Sequence, residues 1–588
     1  GGVHSFLIPL HPIPYQERSL QQQLTLSGSN DLLHSFLRDL SSCCALLSSL
    51  QYPFHFSQCY SILSYRIPSV PMVSLRPPRP PFAALLLFLL PLHAYASITD
   101  NIEALPKFSS SDSPRVAVIG AGMAGLSAAR RLNELGVSTV DIYDALDRIG
   151  GRIHSVPFHG GYLQHGAQYI NGDKNPLYEI ANELGVVSEV FGDLEHLDEP
   201  RFLFGDCDVS KEDLDLFISF TTPLDPKYRA IAHEDEVVSR RDSIHDVYQR
   251  DYQQFIVSHN ISGHRRDVFD ALSLTFRSYW EFEWASDWKD QSLRNLADWD
   301  DQGEIGVSYS TNKIGYKAII DKVASGKGKA KLHLNLPIGN IKYDDERGVV
   351  LSFTNGSVAD SIYDYVIVTV SLGHLKKYHT KLFTPNVGRF KQRVIEHIGF
   401  GGSAKVFFRW ANKFWNDEDL SMVTLAVKGC NGKDEVDPFD SEITTLQPLE
   451  WEPNTLVAWI AGRGPKIFDE MDDQELSYRI TDLVRRLTNN QTIEAPQVIM
   501  RSKLTKNEYL LGSYSYVSVA QARARILHSD LSIPLKFGSH ARVLFAGEAT
   551  HHRLFETAIG AFLSGRREAD RLTEDWTSRV AAALAGAS

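Results

Sequence analysis

Along the 588 residues the apolar and polar positions organise most clearly from Arg115 onward. Val116-Ala-Val-Ile119 is apolar without alternation, as in a parallel strand buried on both faces, and from Leu126 the apolar residues take up helical spacing. Between the two runs lie Gly120, Gly122 and Gly125, in the spacing G-x-G-x-x-G. A second strand, Val140-Asp-Ile-Tyr143, ends at Asp144. The pattern predicts a strand, a tight turn, a helix and a second strand. Gly120 makes the turn, Gly122 lets the backbone approach a pyrophosphate, and Gly125 lets helix and strand pack closely. A phosphate would sit on the helix N-terminus beside Ala124, and Asp144 stands where a carboxylate takes ribose hydroxyls. Together these features predict dinucleotide binding.

Further on, residues 213–301 alternate charged helical stretches with an aromatic and acidic cluster: Tyr279, Trp280, Glu281, Phe282, Glu283, Trp284 and Trp288. Such a cluster suits an ammonium ion, by cation–π and charge contacts, or a core with a solvated edge. A helix opens at Gly315, strands are predicted over 331–336, 340–343 and 349–353, and 366–376 reads as one continuous buried strand. In residues 401–410, Lys405 enters an apolar strand, where its head either finds a partner, reaches water at an edge, or loses its charge. The chain closes with an apolar strand from Val543, then Gly547-Glu548, a loop, and a helix from Thr557 with small residues near its start.

The remaining signals bound the setting. Residues 1–71, ahead of the first methionine, are expected to be a non-structural leader. From Met72, Arg76 and Arg79, an apolar core over 82–92 and Ala94-Tyr-Ala96 predict a signal peptide over 72–96 and a secreted chain without a stable membrane anchor. Asn260, Asn355 and Asn490 would then be glycosylation acceptors. Cys207 and Cys430 remain after cleavage, and sequence leaves their pairing open. The net charge of −12 argues against nucleic acid as a partner and weakly favours cationic substrates. With no CxxC or HExxH, no metal is expected. Oligomeric state is not readable.

Residues 120–152, ending in Gly150-Gly-Arg152, resemble the flavin-containing amine oxidases, closest to polyamine and spermine oxidases. The residues alone leave Arg152 in either a diphosphate loop or a surface turn; the resemblance makes it a diphosphate counter-ion. Gly166, Ala167, Gln168 and Tyr169 match the stretch along the flavin, with Tyr169 in place of a tryptophan. The resemblance implies an α/β chain with a discontinuous Rossmann-like FAD-binding domain (113–190, 331–375 and 511–576) and an α+β substrate domain (191–330 and 376–510). It places Ile338 at the adenine, Glu548 at the ribityl and diphosphate region, and Gly547 and the Thr557 backbone near the ring. Lys405 would hold a water beside flavin N5, and Tyr514, in Gly512-Ser-Tyr-Ser-Tyr516, would form one wall of an aromatic cage. Ser513 stands where monoamine oxidases tether their flavin through cysteine, so FAD is expected to be non-covalent. Asn171 replaces a histidine or glutamate, Leu504 a tryptophan, and Asp144 the customary glutamate. Because Asn171 carries no charge, recognition of a cationic amine must rest elsewhere.

The implied reaction is hydride transfer from a polyamine to flavin N5. It yields an aldehyde and a shorter amine, and O2 as acceptor becomes hydrogen peroxide. An L-amino acid oxidase would need an arginine in 168–176, where none stands. The other alternative is a secreted flavin-binding protein with little turnover. Histone demethylation fits poorly with a signal sequence and no evident nucleosome-docking insert.

Overall fold

The computed structural model describes residues 113–191, 201–205, 207, 209–303, 307–416, 421–425, 427–429 and 435–586. The leader and signal segment expected from the sequence lie outside them.

A six-stranded sheet forms the nucleotide side. Its order is Leu535–Phe537, His540–Phe545, Tyr365–Val368, Arg115–Ile119, Thr139–Tyr143 and Lys331–His333, and every neighbouring pair is parallel except the first. The strands come from separated stretches of chain, so this unit is discontinuous, as expected. The period of two explains the unbroken apolar runs: Val116 and Val118 enter one buried cluster while Ala117 and Ile119 enter another on the opposite face. The first cluster also takes residues of the helices Met123–Glu134, Tyr316–Ser325 and Ala558–Gly586.

Gly120 turns with φ +110°, and a Cβ on Gly125 would stand 1.9 Å from the Gly120 carbonyl oxygen. Backbone must shift to relieve that, so Gly125→Ala is expected to cost about 3 kcal/mol of stability, read as a shifted denaturation midpoint.

The second six-stranded sheet has the order Val498–Arg501, Ala404–Arg409, Thr455–Ile460, Ile443–Pro448, Met422–Thr424 and Arg201–Leu203, antiparallel except for its last pair. Alternation decides the fate of Lys405. Ala404, Val406 and Phe408 enter the core on one face, leaving Lys405 and Phe407 on the other, against Trp459. Helices lie beside this sheet, the longest of them His264–Trp284.

Two readings of the sequence are corrected. The run 366–376 is not one strand: it ends at Val368, and a helix, Leu372–Leu382, begins where the Ser371 hydroxyl accepts from the His374 N–H at 3.0 Å. A serine N-cap thus overrides a β-branched run. Residues 383–398, assigned to the substrate side, place Phe383, Val387, Val394, Ile395 and Ile398 in the first sheet's cluster, so that unit extends past residue 375.

Candidate active site

One cavity of about 730 Å³ runs between the two sheets. At one end it is lined by Gly120, Gly122, Ala124, Asp144, Gly150, Gly151 and Arg152. The helix Met123–Glu134 starts here at Gly122, which has no side chain to cap it, and its first turn carries no acid. The first N–H groups are therefore available to an anion, and the dipole favours one. Asp144 is buried, and its two carboxylate oxygens accept the N–H groups of Ala121 at 2.6 Å and Leu146 at 2.8 Å. Ile338 reaches the same cavity beside Pro337 and Leu336.

At the other end the Lys405 ammonium, buried, donates to the carbonyls of Gln164 at 2.9 Å and Gly166 at 2.8 Å and to Oε1 of Gln168 at 2.8 Å. It also lies 4.2 Å from the centre of the Trp459 ring. An ammonium has three protons to give. A water held at this head, as the resemblance implies, would take the position of Gln168 Oε1, the side-chain acceptor of the three. Gly166 has no room for a Cβ, which would meet the Arg152 carbonyl oxygen at 1.7 Å; Ala167 donates to that oxygen at 3.2 Å. Tyr169 stacks on Trp459 at 5.8 Å, and its hydroxyl donates to Gln447. Tyr514 faces the cavity, anchored by its hydroxyl to the Phe282 carbonyl at 2.8 Å. Burial, then the charges of His154 and Lys405, push His165 down to about 3, so it stays neutral.

Glu548 ties the two ends together. Its Oε1 accepts from Arg152 at 2.7 Å; its Oε2 accepts from the Ser515 hydroxyl at 2.6 Å and the Glu556 N–H at 2.7 Å. Burial opposes its ionisation, but Arg152, Ser515 and the Glu556 backbone hold the carboxyl below its ordinary value. Arg152 also donates to the Ser513 carbonyl at 2.7 Å, so a diphosphate would share a guanidinium already paired. Gly547, at φ +131°, has open space where a Cβ would go. Thr557 caps the last helix, its hydroxyl accepting from the Gly560 N–H at 2.9 Å. Ser513 is buried with its hydroxyl bonded to the Ser403 backbone, and among the described residues no cysteine lines the cavity. Leu504 lines it too, while Asn171 donates to the Ser308 hydroxyl at 3.1 Å.

The aromatic and acidic cluster divides by helical position. Tyr279, Phe282 and Glu283, three and four residues apart, face the cavity with Trp284. Trp280 and Trp288 are core, and Glu281 accepts from the Trp288 N–H. Burial, then Asp225 and Asp301 against the pull of Arg229, push Glu283 up to about 7. The folded carboxyl thus holds its proton more tightly than an unfolded glutamate, near ~4.3. That stabilisation is complete below the unfolded value and is lost as pH rises through about 7. Glu283→Gln, which cannot titrate, is expected to reduce the fall in Tm between about pH 5 and about pH 8, by on the order of 2 °C.

Comparison with known proteins decides what the cavity is for. The family model described as flavin containing amine oxidoreductase matches residues 123–573. The chain belongs to that family.

It is similar to the human peroxisomal N(1)-acetyl-spermine/spermidine oxidase, 27% identical over 506 residues, 79% of this chain and 96% of that one. It is also similar to human lysine-specific histone demethylase 2, 26% identical over 78% of this chain but 53% of the demethylase. Among solved structures, a putrescine oxidase bound to putrescine superposes with a TM-score of 0.56 at 17% identity, covering 78% of this chain and 99% of that one. The protein is an FAD-dependent amine oxidase, similar to polyamine oxidases. Its cavity fits FAD: the uncapped helix start, the side-chain-free Gly122 and Gly547, and the acid at Asp144 suit a dinucleotide, and the absence of a cysteine among the described lining residues suits a non-covalent ring. Asp144, Arg152, Glu548 and Thr557 all line this cavity and are the residues that would hold such a group.

Two cavity residues escape a reading by motif. Glu556 stands immediately before Thr557 with φ +74° and lines the cavity; Asp301 does so from the far end of the helical stretch 213–301. For Glu556 the available signal was an acid at the mouth of a small-residue helix.

Proposed function

We propose that this chain is a secreted polyamine oxidase-type enzyme, which converts an amine, water and O2 into an aldehyde, a shorter amine and hydrogen peroxide. The observation that carries the reading is the convergence of the Lys405 ammonium with the rings of Tyr514, Tyr169 and Trp459 on one cavity whose other end offers a phosphate-binding helix start. Bound flavin supplies the hydride acceptor and the route to oxygen. The chain's own residues orient and exclude. Tyr514, fixed by Phe282, presents an aromatic face to the amine. Lys405 sets a positive charge where negative charge develops during oxygen reduction. The apolar rings keep the site dry and the reacting amine neutral.

Secretion is supported by the signal pattern over 72–96, by the exposed positions of Asn260, Asn355 and Asn490, and by Cys207, which is disulfide-bonded, as suits an oxidising compartment. Cys430 lies outside the described residues. Among the described residues no helix is long and apolar enough to cross a membrane, and no group of side chains could hold a metal.

The test is peroxide release by the purified mature chain with spermine, spermidine, acetylspermine, tyramine and leucine. Turnover of the polyamines supports the reading. Turnover of leucine alone would make the enzyme an amino acid oxidase, and silence on all five with yellow cofactor bound would make it a flavin-binding protein. A glycosidase-sensitive mass in the culture medium supports secretion; retention inside the cell contradicts it.

A further inference from the structure

Asn171 gives the cavity no charge, so an extended cationic substrate needs its counter-charge from other residues. Asp144, Glu283, Asp301, Glu508, Glu548 and Glu556 bring carboxylates to the same cavity, and of these Glu283 and Glu556 stand out. Glu283 arrives from the helix His264–Trp284, on the face that carries Tyr279 and Phe282. Glu556 arrives from the turn before the last helix, and its conformation is costly. At φ +74° a residue with a Cβ is strained, and the strain is held by the Glu556 N–H bond to Glu548. That bond fixes the backbone and leaves the side chain lining the cavity, where Oε2 is buried without a hydrogen-bond partner.

The neighbouring cations are already engaged. Arg229 pairs with Asp225 at 2.8 Å and approaches Asp301 at 3.9 Å, and Arg152 pairs with Glu548. Lys405 is held by Gln164, Gly166 and Gln168. Burial, then the charges of Glu283 and Glu548, raise the Glu556 carboxyl well above its ordinary value, the mark of an acid lacking a cation. Leaving a buried carboxyl uncompensated costs several kcal/mol, which an arriving ammonium would offset. The rings of Tyr279, Trp284 and Trp299 on the same lining suit the methylenes and the charge of such a ligand.

We propose that Glu283 and Glu556 together receive the distal, non-reacting ammonium of a di- or polyamine, and so set this enzyme's preference for polycationic over monocationic amines. The assignment rests on the polyamine reading above and deepens it. Glu556 and Glu283 act as specificity residues: they hold the charge at one end of the chain while the carbon to be oxidised lies by Tyr514 and Lys405.

The experiment uses FAD-loaded holoenzyme with spermidine and with butylamine, the monoamine lacking the second charge. Glu556→Gln keeps the backbone bond to Glu548 and removes the side-chain charge. It is expected to lower the ratio of kcat/KM for spermidine to that for butylamine about tenfold, the loss of about 1.4 kcal/mol of charge-assisted binding. The rise in Tm that spermidine gives the holoenzyme whose flavin has first been reduced anaerobically is expected to shrink in parallel. Glu283→Gln should act in the same direction and serves as the reading if Glu556→Gln fails to fold. An unchanged ratio and an unchanged spermidine shift in both variants overturn the assignment while leaving polyamine oxidation standing. Wild-type enzyme that oxidises butylamine but not spermidine overturns the polyamine reading itself.

Discussion

Lys405→Met is expected to slow steady-state oxidation with oxygen on the order of 10²-fold while FAD remains bound, since the change removes a fixed positive charge from a dry site. The side chain enters from a strand whose other face is core, so little rearrangement can bring a substitute charge to the place. The carbonyls of Gln164 and Gly166 would lose their donor, at a cost of about 1–3 kcal/mol, so a modest fall in Tm accompanies the kinetic effect. The two separate cleanly: folding is read from Tm, flavin content from the visible spectrum, and the rate from peroxide release. A variant that keeps wild-type turnover would remove Lys405 from the chemistry.

Glu548→Ala is the change expected to do most damage to the holoenzyme. The carboxylate is the shared acceptor of Arg152, Ser515 and the Glu556 backbone, and it is buried. Removing it leaves the Arg152 guanidinium without its carboxylate and frees the strained turn at Glu556. Breaking a buried pair in this way costs about 3–5 kcal/mol. The expected result is a chain purified largely free of flavin, with a denaturation midpoint well below wild type. Glu548→Gln, which keeps one oxygen but turns an amide toward donors, should fall between the two. Retained flavin and stability in the alanine variant would mean that Glu548 holds nothing together.

Much of this was legible in the sequence because short-range rules govern it. The glycine spacing, the apolar runs split between two faces, and the carboxylate ending the second strand report local geometry that backbone and packing impose. Lys405 was singled out because a lysine in an apolar strand must be accommodated, and alternation turned it toward the cavity. The run at 366–376 misled because apolar content says nothing of where a strand stops; one hydroxyl, on Ser371, set the boundary. In the aromatic and acidic cluster, Glu281 and Glu283 look alike along the chain, yet two residues on a helix put one beside Arg277 and the other on the cavity. Glu556 offered only an acid ahead of a small-residue helix, because its place on the cavity depends on the bond to Glu548 and the strained turn, which a local pattern does not encode.

Oxidation of amines at the Lys405 end of this cavity has a direct test. Mixing the purified holoenzyme with spermidine under anaerobic conditions tests it most directly: the visible flavin band should bleach, then return on admission of oxygen with release of peroxide. A band that stays unchanged with spermidine and every other amine tried would contradict it.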